Sequence, residues 1–322
     1  ACMQSLILNG LKYIATLASG LGKNKKLFIL IYHRVLDEPD FMRPGEVDKE
    51  VFSWQMELLA KYFNVLPLAG ALERMRTDTL PSRAVCITFD DGYADNYLNA
   101  LPILQKNKLK ATFFIANGYL NGGTMWNDKI IETVRLVKSK KLDLKLLGFG
   151  EFDIDGNLKK TQVAQQIINT IKHLNINKRQ KIADDLASRT PHVPTNLMMT
   201  DDQLVKLYQA GMEIGGHTVT HPIMAHLDQK IIEKELQDNK HYLEQLLNTT
   251  IRFFAYPNGK LEIDYKQKDV TQVKLENYQA AVSTQWGVVD KNSDLFQLPR
   301  FTPWDQSPCG FMLRMILRYK NK

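Results

Sequence analysis

The chain of 322 residues has few cysteines, and this scarcity excludes two ways of stabilising a fold. Cys2, Cys86 and Cys309 are widely spaced and odd in number, so they indicate neither a disulfide framework nor a cysteine zinc site. Cys86 lies in an apolar run, where we expect a small buried side chain. With 44% hydrophobic and 24% charged residues, the composition is that of a folded protein with a large core.

The chain also lacks the pattern of a nucleic-acid platform. It carries 42 Lys and Arg against 35 Asp and Glu, a net charge of +7. The basic residues are scattered or form short runs, as at residues 23–26 and 138–141, and they are not interleaved with aromatics. We therefore predict no nucleic-acid partner and interpret the charge as one that favours solubility.

No unbroken apolar run has the length of a membrane span. The apolar stretch at residues 6–21 is interrupted by Asn9, Lys12 and Thr16, which argues against a transmembrane helix. Its apolar residues recur at near-helical spacing: Leu6, Leu8, Leu11, Ile14, Leu17 and Leu21. We predict an N-terminal helical segment over residues 1–26. It either packs on the domain, which we favour, or lies peripherally on a membrane.

From residue 27 onward, apolar strands alternate with helical patterns. The predicted strands are residues 27–32, 65–68, 84–89, 111–115, 212–215, 253–256 and 280–283. Helical periodicity appears between them, for example at residues 49–63 and at residues 96–106, where Pro102 marks a candidate kink. This alternation indicates an α/β protein with a parallel sheet, and polar residues at strand ends suit a barrel. Residues 129–202 are rich in Lys, Asn and Gln, and we interpret them as a mostly helical insertion in one domain spanning residues 27–322.

Two adjacent carboxylates, Asp90 and Asp91, follow a predicted strand, and Gly92 permits a sharp turn. Neighbouring strand residues point to opposite faces, but a turn at the strand end can bring both carboxylates to one cleft. One can then bind a metal while the other acts as general base. The alternative is a solvated Asp-Asp-Gly turn.

His217 and His221 lie four residues apart after another predicted strand. If a helical turn begins there, both imidazoles face the same side and can bind one cation. Together with one carboxylate they make a three-ligand site with positions open for water and substrate. Zinc is the first choice, although cobalt, nickel, manganese or iron also accept such ligands. The remaining histidines with no such context are expected at the surface or in packing: His173, His192, His226 and His241.

Residues 88–92 and 217–221 resemble the first two motifs of the polysaccharide deacetylases, carbohydrate esterase family 4. The similarity spans roughly residues 28–304. It implies a distorted (β/α)7-type barrel in which Asp90 is the general base. It also implies that Asp91, His217 and His221 bind the metal.

Two features depart from the family pattern. The family's third motif supplies an arginine that orients the base, and here Ala255 takes its place, so Arg252 or Arg300 would have to orient Asp90. Asn258 in the same stretch still offers a backbone amide for the oxyanion hole.

The family's general-acid histidine is also missing, because no histidine follows His241. We expect His33 to replace it, since catalytic groups collect at the carboxyl ends of barrel strands. Deacetylases of poly-N-acetylglucosamine carry a similar Tyr-His segment near their start, which points to that branch of the family.

We expect aromatic and polar side chains to line a sugar groove: Trp126, Asp128, Tyr256 and Trp304. For Trp126 and Asp128 the alternative is a helix start with the acidic residue in the first turn.

The resemblance implies a metal-dependent hydrolase that removes N-acetyl groups from a polysaccharide or lipid-linked glycan. The alternatives are an impaired carbohydrate-binding protein or an O-acetyl esterase that uses the same site. Without a clear signal peptide, a bacterial-type cell envelope and the cytoplasmic face of a membrane both stay open.

Overall fold

A computed structural model describes residues 2–190 and 193–319 of the chain. Within these ranges, no helix combines the length and the apolar character needed to cross a bilayer. His192, expected at the surface or in packing, lies outside the described residues.

Seven parallel strands form a nearly closed barrel, as predicted. The strands are β1 Leu27–Tyr32, β2 Ala84–Phe89, β3 Thr112–Ile115, β4 Glu213–Gly216, β5 Phe253–Ala255, β6 Ala280–Trp286 and β7 Leu298–Arg300. Each pairs in parallel with the next along the chain. Phe301, directly after β7, bridges in parallel to Leu30 of β1 and so nearly completes the ring.

Helices surround this barrel. They are α1 Cys2–Ala18, α2 Lys49–Tyr62, α3 Leu68–Arg76, α4 Leu101–Lys106, α5 Trp126–Leu136, α6 Asn157–Ile171, α7 Ile176–Ala187, α8 Asp201–Gln209, α9 Gln229–Leu247, α10 Gln267–Leu275 and α11 Pro308–Arg318. Single 3-10 turns occur at Gly22–Asn24, Asn117–Tyr119, Lys145–Leu147 and Met224–His226. Short strands occur at Val35–Leu36, Val47–Asp48, Asn64–Val65, Lys141–Asp143 and Glu151–Asp153.

The elements differ from the sequence prediction at three places. The strand predicted at residues 65–68 is only Asn64–Val65, and Leu68 already begins α3. The kink expected at Pro102 takes the form of a π-helical stretch, Asn96–Ala100, that leads into α4. Strand β7 was not predicted, because Pro299 interrupts its short apolar pattern.

Alternate strand residues fill the barrel with apolar side chains. Those buried inside include Leu27, Ile29, Cys86, Phe114, Val282 and Leu298. Leu68 and Ala71 of α3 pack on the same cluster at the amino-terminal end of the strands. The interior is therefore closed at that end, and polar groups collect at the carboxyl end.

The insertion between β3 and β4 has a hydrophobic core of its own. Helices α5, α6 and α7 pack together around Trp126, Ile130, Val134, Val163, Ile167, Ile182 and Leu186. Besides the predicted helices, the insertion contains an antiparallel hairpin formed by Lys141–Asp143 and Glu151–Asp153. Its helices stand beside the carboxyl ends of the barrel strands and form one wall of the cleft described below.

Helix α1 packs against α11 on the flank of the barrel. Leu8 and Ala15 of α1 are buried, so one side of this helix packs on the domain. Its opposite side is exposed.

Candidate active site

A cleft of about 360 Å³ lies at the carboxyl ends of the strands. Most candidate residues line it: His33, Asp90, Asp91, Trp126, Asp128, His217, His221 and Asn258. Arg300 lies directly beneath, and two other candidates lie elsewhere.

The turn after β2 brings both aspartates to this cleft. Asp90 follows the alternation of the strand, whereas Asp91 has a left-handed backbone with φ of 78° and Gly92 continues the turn with φ of 96°. Both carboxylates are almost fully buried, with 2% and 6% exposure. The reversal separates two adjacent carboxylates into two positions on one cleft.

The histidine pair lies on a loop after β4 that is not helical. Thr218 and His221 adopt left-handed backbone angles, with φ of 65° and 49°. The four-residue spacing therefore brings the imidazoles together through a tight turn and not through a helical turn.

The three predicted metal ligands converge. The Nε2 atoms of His217 and His221 each lie 3.3 Å from Oδ1 of Asp91, and the three ligand atoms lie within 4.8 Å of one another. Oδ1 of Asp91 is buried and has no hydrogen-bond partner among the described residues. One carboxylate and two imidazoles are a donor set that fits a divalent cation such as zinc.

The protonation states also suit metal binding. Nδ1 of His217 lies 2.7 Å from the carbonyl oxygen of Ala255. Because a carbonyl only accepts, Nδ1 carries the proton and Nε2 keeps its lone pair. Burial lowers the pKa of His221 to about 3, which keeps that ring neutral. Burial raises the pKa of Asp91, whereas protonation of the imidazoles around it lowers this pKa, and the net direction is well below its usual range.

Helix α9 fixes the histidine loop with two side chains that sequence reasoning missed. Glu235 accepts hydrogen bonds from the amides of Val219 and Thr220, at 2.8 and 2.9 Å, and from the Thr220 hydroxyl. Asn239 accepts from the amide of His217 and donates to the carbonyls of Ile115 and Thr218. Glu235 and Asn239 lie 15 to 22 positions away from their partners on the histidine loop, so no local motif marks them.

Gly216 permits this close packing. A Cβ atom at Gly216 would lie 2.5 Å from the Tyr278 hydroxyl and 2.7 Å from Oδ1 of Asn239. Only glycine therefore lets the end of β4 approach α9 closely enough for the loop to be held.

Arg300 takes the place of the motif arginine, at whose usual position this chain has Ala255. Its guanidinium forms a bidentate pair with Asp90, at 2.7 and 2.6 Å. It also donates to the Ser283 carbonyl and the Thr88 hydroxyl. Burial raises the pKa of Asp90, but Arg300 outweighs burial, and the net pKa lies below its usual value. Arg252, the other sequence candidate, is about half exposed and lies near Glu213 instead.

His33 lies on the cleft beside Glu46, and both side chains are half-buried. Burial lowers the pKa of His33, but three nearby carboxylates, led by Asp91, outweigh this effect and raise it above its usual value. Oε2 of Glu46 accepts a hydrogen bond from the Arg34 amide at 3.2 Å. An imidazole held among carboxylates at this edge can carry a proton into the cleft.

Asn258 presents its backbone to the cleft in a left-handed conformation, with φ of 59°. Its carbonyl accepts from the Thr284 hydroxyl at 2.6 Å. Across residues 2–190 and 193–319, its amide N–H has no hydrogen-bond partner. This donor is therefore free to bind an anionic oxygen.

The predicted sugar-binding residues divide into two pairs. Trp126 and Asp128 line the cleft and lie in the first turn of α5, as the helix-start alternative also required. Both oxygens of Asp128 are already bonded, to Arg43 at 2.8 Å and to the Tyr93 hydroxyl at 2.9 Å.

Tyr256 and Trp304 do not lie in the cleft, so the structure contradicts their predicted placement. Tyr256 is fully buried, stacks on Tyr265 at 3.9 Å, and donates to the Phe296 carbonyl. Trp304 is 47% exposed and packs on Trp286 at the flank near α11. Both residues are close to a motif in the sequence, but this closeness does not determine the direction in which a side chain points.

Several cleft residues were missed. Arg34, Arg43 and Tyr93 line it, and Arg34 forms an ion pair with Asp95 at 2.7 Å. Arg34 and Tyr93 come within two positions of His33 and Asp91, which is the only sequence signal that pointed to them.

Comparison with known proteins identifies the family. The family model described as polysaccharide deacetylase matches residues 77–139 and 151–278, which is more than half of the chain. The chain belongs to the polysaccharide deacetylase family.

Two relatives illustrate the range of similarity. YxkH of Bacillus subtilis strain 168, whose name assigns it to the polysaccharide deacetylases, is 23% identical over 281 residues, which is 86% of this chain and 71% of YxkH. The poly-β-1,6-N-acetyl-D-glucosamine N-deacetylase of Staphylococcus aureus strain MSSA476 is 28% identical over 174 residues. That match covers 52% of this chain and 60% of the relative, less than two thirds of its length.

Solved structures share the fold. The Streptococcus pyogenes deacetylase PplD, in complex with acetate, superposes with a TM-score of 0.62 at 19% identity over 91% of this chain and 99% of PplD. IcaB from Ammonifex degensii superposes with a TM-score of 0.56 at 16% identity over 92% of this chain and 97% of IcaB. At these identities the likeness concerns the (β/α)7 fold alone.

The buried ion pair leads to a prediction about stability. Arg300→Met leaves Asp90 as an unpaired buried carboxylate, so we expect the free energy of unfolding to fall by about 3–5 kcal/mol. Arg252→Met is the matched control, because its exposed guanidinium contributes less than about 1 kcal/mol. Urea denaturation followed by circular dichroism measures both. Equal losses in the two variants would contradict the assignment of Arg300 as the partner of Asp90.

Proposed function

We propose that this chain is a metal-dependent deacetylase that hydrolyses the acetamide groups of an N-acetylglucosamine polymer. The observation that carries the proposal is the convergence of Asp91, His217 and His221 beside Asp90, whose carboxylate is held ionised by Arg300. The name of the Staphylococcus aureus relatives supports N-acetylglucosamine as the sugar. A lipid-linked glycan presents the same acetamide and belongs in the same test.

Asp91, His217 and His221 would hold the cation, with zinc as the first choice. When bound, a divalent cation supplies Lewis-acid activation of water and of the acetyl carbonyl. The protein's contribution is to present three neutral or anionic donors on one side and to leave the cleft side open for substrate.

Asp90 acts as the general base. Its carboxylate takes a proton from the attacking water, and Arg300 holds both oxygens so that the group stays ionised and oriented. This arrangement weakens the binding-protein alternative, which rested on the missing motif arginine and the missing general-acid histidine. A site that only binds a sugar does not need an oriented base.

Asn258 and His33 serve the later part of the reaction. As water attacks the carbonyl carbon, the free amide of Asn258 donates a hydrogen bond to the oxygen that gains charge. His33, whose pKa the surrounding carboxylates raise, gives its proton to the amine nitrogen as the C–N bond breaks. Acetic acid and the free amine leave the cleft, and the acid loses its proton to solvent. The proton held by Asp90 is released to solvent, from which His33 regains the proton that it gave.

The decisive experiment measures acetate release from N-acetylglucosamine oligomers, from the polymer, from a lipid-linked glycan and from an O-acetylated sugar. We expect zinc-dependent release that falls about 10²–10⁴-fold in Asp90→Asn, because the base is lost. His217→Ala should lose both release and bound zinc. His241→Ala, an exposed histidine, is the control. Zinc binding without release from any substrate would favour the binding protein, and release only from O-acetylated sugars would favour the esterase.

The loop support from α9 predicts a loss of metal affinity. Glu235→Ala releases the amides of Val219 and Thr220, so the affinity for zinc should fall about 10–100-fold. Glu233→Ala on the exposed side of the same helix is the matched control. Competition with a chromophoric chelator gives both dissociation constants. Unchanged affinity in Glu235→Ala would show that the loop holds its shape without this carboxylate.

His33 can be tested through the leaving group. His33→Ala should lower hydrolysis of the N-acetyl sugar about 10²–10⁴-fold, because an amine needs a proton to leave. A nitrophenyl acetate ester, whose leaving group needs no proton, should be hydrolysed by this variant within a few-fold of the unchanged protein. Bound zinc, measured by metal analysis, should not change. Equal losses on both substrates would reject His33 as the acid.

A further inference from the structure

The positive charge of the chain is concentrated in its two terminal segments. Residues 1–26 and 306–322 carry eight of the 42 Lys and Arg and none of the 35 Asp and Glu. The rest of the chain, with 34 basic and 35 acidic residues, is close to neutral. Because α1 packs against α11, the described parts of these segments meet on one flank of the barrel. The net charge of +7 is therefore carried by the two terminal segments, and six of their eight cations lie in the described residues.

The outward face of α1 is apolar. A helix on the surface of a folded domain normally turns polar residues to water. In α1 the exposed face instead carries Leu6, Ile7, Tyr13, Ile14 and Leu17, which are 48% to 73% exposed. These positions recur at helical spacing, and no charged residue lies among them. The buried side of the helix, with Leu8 and Ala15, already packs on the domain, so packing does not explain the exposed face.

Helix α11 extends the apolar surface. Leu313 and Leu317 lie one turn apart on its outward side and are 49% and 54% exposed. Two tryptophans flank the helix, with Arg318 over the ring of Trp286 at 4.8 Å and Arg314 over Trp304 at 4.9 Å. Arg314 also pairs with Asp305. Half-exposed tryptophans and arginines beside leucines are the side chains that favour the interface between lipid and water.

We propose that the flank formed by α1 and α11 is a docking surface for a membrane with anionic headgroups. The apolar face of α1 enters the boundary between headgroups and acyl chains, and the cations of the two terminal segments meet the headgroup phosphates. Neither segment contains an acidic residue, and the neighbouring Asp305 is 9% exposed and paired with Arg314, so this surface differs in its charge from an ordinary apolar protein interface. Membrane docking is independent of the proposed catalysis.

The position of the flank keeps the cleft accessible. None of the residues that line the cleft belongs to α1 or α11. Both helices run along the side of the barrel, since α11 follows the carboxyl end of β7 and α1 leads toward the start of β1. A membrane on this flank would leave the cleft open along the membrane surface, where a glycan emerging from the bilayer could enter it.

The test is co-sedimentation of the purified chain with vesicles. Vesicles of phosphatidylcholine alone are compared with vesicles that also contain phosphatidylglycerol, at low and high salt. We expect binding to the anionic vesicles that salt weakens. The triple variant Leu6→Ser, Ile14→Ser, Leu17→Ser should lower the partition coefficient at least about tenfold, because apolar area is lost from the interface. The double variant Leu146→Ser, Leu158→Ser removes two leucines of the insertion that are 94% and 71% exposed and should bind as the unchanged chain does.

Two further measurements distinguish an anionic membrane from other partners that could bind this surface. Arg318→Gln with Lys25→Gln should weaken binding to anionic vesicles only, by about fivefold for each charge. Sedimentation equilibrium of the unchanged chain and the triple variant tests a second copy as the occupant. The proposal is overturned if the unchanged chain does not bind anionic vesicles, or if the triple variant binds them as well as the unchanged chain does. It is also overturned if the unchanged chain is a dimer that does not bind vesicles and the triple variant is a monomer. Circular dichroism of the triple variant checks that it is folded. Since the substituted residues do not line the cleft, none of these outcomes bears on the deacetylase proposal.

Discussion

The cleft is organised around a guanidinium that is completely buried inside the barrel. Arg300 extends from β7 across to the end of β2, where it neutralises Asp90 and bonds Thr88. A buried arginine is tolerated only when its donors are satisfied, and here the carboxylate, a hydroxyl and a backbone carbonyl accept from it. The pair ties the last strand to the second one. It closes the polar end of the barrel, and it orients Asp90, which is not one of the three residues that could hold a metal.

The remaining polar groups depend on backbone geometry more than on side-chain choice. Left-handed turns at Asp91 and His221 direct ligands that a regular strand or helix would separate. Such turns need external support, and α9 provides it through Glu235 and Asn239. The candidate ligand set therefore results from two strand ends and from α9, which packs against the end of β4, and this close packing explains why glycine is required at Gly216.

The sequence predicted the parts of the site that are encoded locally. The strand followed by Asp90 and Asp91, and the histidine pair after a second strand, could be recognised because the residues adjoin their own strands. The arginine that orients Asp90 could be predicted only as one of two, Arg252 or Arg300. Strand β7, which carries Arg300, contains a proline and shows no apolar pattern. The hydrogen bonds of Glu235 join segments that are distant in the sequence. The buried side chain of Tyr256 points away from the cleft because it stacks on Tyr265. Neither feature is visible in a local pattern.

The insertion between β3 and β4 is a small folding layer beside the cleft. Its helices and hairpin share an apolar core that is distinct from the interior of the barrel, yet Trp126, Gln165 and Asn169 from it reach the cleft wall. The wall and the barrel are thus built around separate apolar cores, and Asp128 joins them at the cleft through Arg43 and the Tyr93 hydroxyl. Because the two cores are separate, residues of the wall can be substituted during evolution without repacking the barrel. The preference for a glycan can then change while the residues at the strand ends stay the same.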